Sequence, residues 1–221
     1  MWSRALAVIA TAVIGAGSSA GPVLAEGNPP APGAKIEDDN SACTAAFAAR
    51  GNDDAYYLMT SGHCDSHDGS VWTYGDDNVP LGRVSAQEYE ENGDTGTQRK
   101  DAAIIRLDQA VGVPVGDVAG RYPVRNALGF SQIQVGMPFC KVGAVTGETC
   151  GAVTGTEGNY AVETNVYSLP GDSGSPGFVK NADGTVSAVG ILTSSPEGDD
   201  HTTYFVLVEP LLSKWGLHIL P

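Results

Sequence analysis

From Ala42 onward the chain is broken into short apolar runs, each closed by Gly, Asn, Asp or Pro about every ten residues. Ala55–Met59, Val71–Tyr74, Ala102–Leu107 and Gln132–Val135 are such runs, and Ala161–Tyr167, Val186–Leu192 and Thr203–Val208 follow them. They are rich in β-branched and aromatic residues and too short for helices, so they read as strands of an all-β, antiparallel fold. Val111 to Asn126 holds two Pro and three Gly and separates two strand-rich halves, which makes it the expected connection between lobes of about 41–112 and 126–208. Helical character is confined to 209–216, where Pro210 lies in the first turn and Gly216 ends the segment.

The amino terminus concerns destination rather than fold. Arg4 is followed by the apolar run Ala5–Ile14, then by Gly, Ser and Pro, and then by Val23-Leu24-Ala25. That order is the layout of a secretory signal peptide over 1–25, cleaved after Ala25. The apolar run is well short of the roughly 20 residues a membrane-spanning helix requires. Residues 26–40 carry Pro, Gly, Ala and Asp without periodicity and read as a flexible lead-in or short pro-segment.

Cleavage leaves about 196 residues, enough for one large domain or two small lobes. Twelve basic residues face 26 acidic ones, a net charge of −14 that repels phosphate backbones and argues against nucleic-acid binding. No stable membrane anchor follows from the sequence, and the expected state is a secreted monomer. Four cysteines in an exported chain point to two disulfides. Of three possible pairings we favour Cys43–Cys64 and Cys140–Cys150, each close in sequence and within its own half. A zinc site is the rival, but no C-x-x-C spacing supports it.

Three segments carry chemistry. Thr60-Ser61-Gly62-His63-Cys64 follows a strand, Asp101 opens another, and Pro170-Gly171-Asp172-Ser173-Gly174-Ser175-Pro176 forms a tight turn between two more. A serine hydroxyl attacks at neutral pH only when a base removes its proton. An imidazole does so when a carboxylate fixes its other nitrogen. His63, Asp101 and Ser173 supply these roles, and the N–H groups of Gly171 and Ser173 are the expected oxyanion hole. The chemistry requires no cofactor or metal. Asp76-Asp77 and Glu90-Glu91 with Asp94 lack a calcium-loop signature and read as solvated turns. His67, His201 and His218 read as surface residues.

Ser-Gly-His-Cys, Asp-Ala-Ala-Ile and Gly-Asp-Ser-Gly, in this order, resemble the chymotrypsin-like (trypsin-fold) serine endopeptidases. The segment from Cys140 to Cys150-Gly151 resembles the disulfide loop of bacterial secreted members such as streptogrisins and α-lytic protease. The order His, Asp, Ser excludes α/β-hydrolases and subtilisins. The resemblance implies two antiparallel six-stranded β-barrels with a cleft between them and a peptide or protein substrate. It also implies a buried ion pair from Asp172 to Lys141, where bacterial relatives place Arg. Tyr167, Ser168, Ser194, Ser195 and Pro196 are the expected substrate-binding residues, and a small or medium neutral side chain is the expected preference.

Two departures stand out. Ser175 occupies a position where the family has Gly, and Pro196 interrupts the Thr-Ser-Gly-Gly substrate-pairing edge. These, with Lys141, support a rival of another class, a secreted protease-like domain that binds and cleaves little. A third reading is an esterase on the same site.

Overall fold

The computed structural model describes residues 30–90 and 100–221. The expected signal peptide, residues 26–29, Glu91 and Asp94 lie outside them. Seven strands build the first lobe: β1 (Lys35–Glu37), β2 (Ala42–Thr44), β3 (Ala48–Gly51), β4 (Tyr56–Thr60), β5 (Trp72–Tyr74), β6 (Val79–Tyr89) and β7 (Asp101–Leu107). The second lobe holds β8 (Val124–Ala127), β9 (Pro138–Gly143), β10 (Gly147–Glu157), β11 (Ala161–Thr164), β12 (Pro176–Lys180), β13 (Val186–Ser194) and β14 (Thr203–Leu207). Helix α1 (Val208–Trp215) and β15 (Leu217–Ile219) end the chain. Gly216 closes the helix in the left-handed region.

The fold is all-β with one short C-terminal helix, as the run lengths imply. In the second lobe the order β12-β9-β10-β11-β14-β13 returns to β12 through the β12–β13 pairing, which makes a closed six-stranded barrel. The first lobe is a curled sheet in the order β15-β3-β4-β7-β6-β5-β1-β2. Its curvature comes from register breaks in β5–β6 and β6–β7, where an extra residue bends the strand.

Three apolar clusters explain the burial pattern. Leu58, Trp72, Leu81, Ile105 and Leu107 fill the first lobe. Phe139, Val153, Val162, Val189, Leu192 and Phe205 fill the barrel. A third cluster lies in the seam between lobes, where Tyr57, Met59, Ala102 and Ile104 meet Phe178, Ile191, Val206 and Leu211. Strands β4 and β7 therefore send alternate side chains into two different cores. This is why Asp-Ala-Ala-Ile-Ile-Arg-Leu is buried almost throughout instead of alternating.

Two expectations change. The part of the lead-in that the structure describes, residues 30–40, packs into the first lobe. Ile36 is fully buried, and β1 pairs with both β2 and β5. One β-branched anchor and two ladders outweigh the surrounding Pro and Gly. Gln132–Val135 is not a strand. It continues from a 3₁₀ turn at Phe130–Gln132, and Val135 is 68% exposed, so the run finds no partner strand.

Gly82 lies where β6 crosses closest to β7. A Cβ there would stand 1.9 Å from the Arg106 carbonyl oxygen, whereas one on Gly75 would meet open space. Gly82→Ala should lower the unfolding free energy by about 3 kcal/mol, and Gly75→Ala by about 1 kcal/mol. Urea titration followed by tryptophan fluorescence measures both.

Candidate active site

His63 sits in a single 3₁₀ turn, Gly62–Cys64, directly after β4. The turn packs against the ends of β6 and β7 so closely that a Cβ on Gly62 would lie 2.7 Å from the Glu88 carbonyl oxygen. Glycine is thus the residue that lets this turn reach Asp101, the first residue of β7. The Cys43–Cys64 disulfide ties the turn to β2. Asp101 holds His63 at two points: Oδ1 accepts the His63 backbone N–H at 2.8 Å, and Oδ2 lies 2.8 Å from Nδ1. A carboxylate at Nδ1 places the proton on that nitrogen and leaves Nε2 with its lone pair. Asp101 is 7% exposed. The Tyr89 ring lies 6.2 Å from the imidazole.

Ser173 comes from the turn between β11 and β12, and this turn is fastened across the seam. The Thr44 backbone N–H donates to the Ser173 carbonyl at 2.8 Å, and Thr44 Oγ1 donates to the Gly171 carbonyl at 2.9 Å. Ser61 Oγ donates to the Leu192 carbonyl at 2.5 Å, and that carbonyl also accepts from Gly174 N–H at 2.9 Å. Gly174 has φ +87°, and a Cβ there would stand 2.2 Å from the Thr44 carbonyl oxygen. These bonds bring the Ser173 turn against the segment that leads into His63. No hydrogen bond joins Ser173 Oγ to His63, a kind of contact that commonly tightens only when substrate is bound.

Around Ser173 the backbone donors divide into two groups. The N–H groups of Asp172, Gly174 and Ser175 donate to the carbonyls of Leu169, Leu192 and Asp172. Leu169 N–H donates to Asp172 Oδ2. The N–H groups of Gly171 and Ser173, the expected oxyanion donors, take no part in this set.

Asp172 and Lys141 are both fully buried, with Nζ 3.1 Å from Oδ2. Asp172 Oδ1 accepts from the N–H groups of Val145 and Thr146 at 3.0 and 3.1 Å. Oδ2 accepts from Thr146 Oγ1 at 2.6 Å and Leu169 N–H at 3.1 Å. Lys141 also donates to Thr146 Oγ1 and, at 3.3 Å, to the Gly147 carbonyl. Burial raises the Asp172 pKa, but the Thr146 and Leu169 hydrogen bonds and the Lys141 charge outweigh it, so the group sits below the ordinary 3.8. Burial pushes Lys141 below 10.5, and Asp172 pulls it part of the way back. Ser175 is fully buried, and its hydroxyl donates to the Asp172 carbonyl at 2.5 Å. The second disulfide, Cys140–Cys150, joins neighbouring strands β9 and β10 beside Lys141.

A cavity of about 360 Å³ opens beside Ser173, with Ser168, Ser194, Ser195 and Pro196 on its walls. Tyr167 is not among the lining residues; its ring lies 5.2 Å from His201. Reading the sequence alone missed Thr44 and Thr146, which act through hydrogen bonds that no local motif signals. It also missed the loop after Pro196, which lines the cavity with Glu197 and Asp200.

No family profile matches the sequence. The chain is 30% identical over 200 residues to an uncharacterized protein of Mycobacterium tuberculosis (strain CDC 1551 / Oshkosh), covering 87% of this chain and 84% of that one. Among solved structures, Nocardiopsis protease NAPase superposes with a TM-score of 0.67 at 23% identity, covering 86% and 98% of the two chains. A glutamic-acid-specific serine protease described as using a histidine triad in substrate binding gives 0.69 at 24%, covering 87% and 100%. α-Lytic protease homolog N4 gives 0.65 at 27%, covering 85% and 97%.

Removing the ammonium by Lys141→Ala leaves a buried carboxylate without its cation. It should cost about 3–5 kcal/mol of stability and most amidolysis, read by urea unfolding and a chromogenic peptide. Because the folded Asp172 pKa lies below its unfolded value, its contribution is complete above pH 3.8 and is lost as pH falls through the folded value. Stability of the wild type should therefore fall more steeply below pH 4 than that of Asp172→Asn.

Proposed function

The chain belongs to the chymotrypsin-like, trypsin-fold serine proteases, and on that premise we propose that it is a secreted endopeptidase acting through an acyl-enzyme on His63, Asp101 and Ser173. The observation that carries this reading is the two-point hold of Asp101 on His63, which leaves the Nε2 lone pair available to act as the base.

In the reaction Ser173 Oγ attacks the scissile carbonyl carbon while its proton passes to Nε2. The carbonyl oxygen becomes an oxyanion and accepts hydrogen bonds from the N–H groups of Gly171 and Ser173. His63 then gives the proton to the departing amine, and the C–N bond breaks. Water then attacks the acyl carbon and loses a proton to His63, which returns it to Ser173 Oγ as the acyl C–O bond breaks and the acid leaves. Asp101 keeps the imidazole in the required tautomer and stabilises the imidazolium. The Lys141–Asp172 pair positions the oxyanion donors without touching substrate.

Two of the three features behind the binding-only reading, Ser175 and Lys141, are accommodated in the geometry, and nothing in the structure accounts for Pro196. Ser175 fits with its hydroxyl satisfied by the Asp172 carbonyl, and Lys141 keeps its partner. Export rests on the sequence layout of residues 1–25. The two disulfides fit an oxidising compartment, and no helix of the described residues is long and apolar enough to cross a membrane.

A fluorophosphonate probe should label the wild type and leave Ser173→Ala unlabelled. With a peptide anilide, Asp101→Asn should lower kcat about 10⁴-fold while leaving far-ultraviolet circular dichroism unchanged. Labelling that survives Ser173→Ala overturns the assignment.

A further inference from the structure

The turn that carries Ser173 is a run of peptide units, each of which moves as a plane. Two of them present the proposed oxyanion donors: the unit before Gly171, with the Gly171 N–H, and the unit before Ser173, with the Ser173 N–H. The unit between Gly171 and Asp172 is held at both ends. Its N–H donates to the Leu169 carbonyl at 2.9 Å, and its carbonyl accepts from Thr44 Oγ1 at 2.9 Å. The unit between Ser173 and Gly174 is held in the same way. Its N–H donates to the Leu192 carbonyl at 2.9 Å, and its carbonyl accepts the Thr44 N–H at 2.8 Å. Thr44 thus grips the plane on either side of the Ser173 N–H, one with its hydroxyl and one with its backbone.

The hydroxyl is the part of this grip that the side chain decides. Gly171 has φ +97° and no Cβ, so hydrogen bonds to the neighbouring planes are what limit rotation about its backbone bonds. Such rotation turns the Gly171 N–H relative to the Ser173 N–H. Thr44 is fully buried, so water cannot take the place of its hydroxyl. The same oxygen accepts the Ala144 N–H at 3.1 Å, and the next two N–H groups, of Val145 and Thr146, bind Asp172. Thr44 is itself anchored in the first lobe: Thr60 Oγ1 donates to its carbonyl at 3.0 Å, and the neighbouring Cys43 is bonded to Cys64.

We propose that Thr44 is a positioning residue, whose hydroxyl sets the relative orientation of the oxyanion donors from across the seam between lobes. The inference rests on the proposed endopeptidase reading and extends it: stabilisation of the transition state depends on a side chain of the lobe that does not carry the oxyanion turn. The role belongs to the hydroxyl rather than to the methyl group. Serine keeps both the donor and the acceptor, whereas valine keeps the shape and leaves the Gly171 carbonyl and the Ala144 N–H unpaired in a dry setting.

The test compares wild type, Thr44→Val and Thr44→Ser on one peptide anilide, with active enzyme counted by fluorophosphonate titration of Ser173. Thr44→Val should lower kcat about 10- to 100-fold per titrated site with KM within about threefold of wild type. Its affinity for a peptidyl trifluoromethyl ketone, which forms a tetrahedral oxyanion on Ser173, should fall by a similar factor. Thr44→Ser should stay within about threefold of wild type in both readouts. Should Thr44→Val not fold, Thr44→Cys takes its place, since a thiol matches serine in shape and is a weak donor. A kcat retained without the hydroxyl, a serine variant no better than valine, or a loss that appears in KM alone overturns the proposal. So does failure of both Thr44→Val and Thr44→Cys to fold where Thr44→Ser folds, which makes the hydroxyl a folding element. Failure of wild-type Ser173 to take the probe counts instead against the endopeptidase reading, so the two failures are distinguishable.

Discussion

The buried carboxylate of Asp172 is the contact on which the geometry of the site depends. It collects donors from β9, from the hairpin tip at Val145–Thr146 and from Leu169, and it lies between Gly171 and Ser173, the proposed oxyanion donors. A charge so placed cannot shift without losing several hydrogen bonds in a dry setting, where each is costly to leave unmade. The turn carrying Ser173 is held before any substrate arrives, as electrostatic preorganisation requires. Lysine makes this a different device from a guanidinium fork. Its single direct contact with the carboxylate is supplemented through Thr146, which accepts from Nζ and donates its own O–H to Oδ2. The hydroxyl gives the point charge a second route to the carboxylate.

The seam between lobes places the other half of the chemistry. Thr44 reaches the Ser173 turn with its backbone N–H and its hydroxyl, and that hydroxyl in turn accepts the Ala144 N–H at 3.1 Å. One residue of β2 thus touches the nucleophile turn and the hairpin that clamps Asp172. Two residues after Ser61, which is bonded to the Leu192 carbonyl, comes His63. The apolar seam brings the lobes together, and a few directional bonds fix their registration.

What was legible in the sequence was the part whose chemistry demands particular side chains at a local turn. Gly62-His63-Cys64 and Gly171-Asp172-Ser173-Gly174 stood out for that reason, and the cysteines paired as their positions indicated. Less legible were features created by distant pairing. β1 hides among Pro, Gly and Asp because its place depends on β2 and β5 rather than on its own composition. Gln132–Val135 has strand-like residues but no strand beside it. Its position six residues before Ser173 points to Tyr167 as a cavity residue, yet its ring packs on His201.

The two lobes also differ in how their structure is completed, and the difference matches what each contributes. The second is a closed barrel built from one continuous stretch, β9 to β14, and it carries the turn proposed to hold the oxyanion, where small displacements would cost most. The first borrows both ends of the described chain. β1 inserts beside β2 and β5, while β15, beyond the helix, pairs Leu217, His218 and Ile219 with Gly51, Arg50 and Ala49. Such pairings have high contact order and form slowly relative to local hairpins. The lobe that holds His63 and Asp101 is therefore complete only when the carboxy-terminal residues have docked. His63 and Asp101 tolerate this because their mutual geometry is local to the Gly62–Cys64 turn and the first residue of β7, and it does not require a closed barrel.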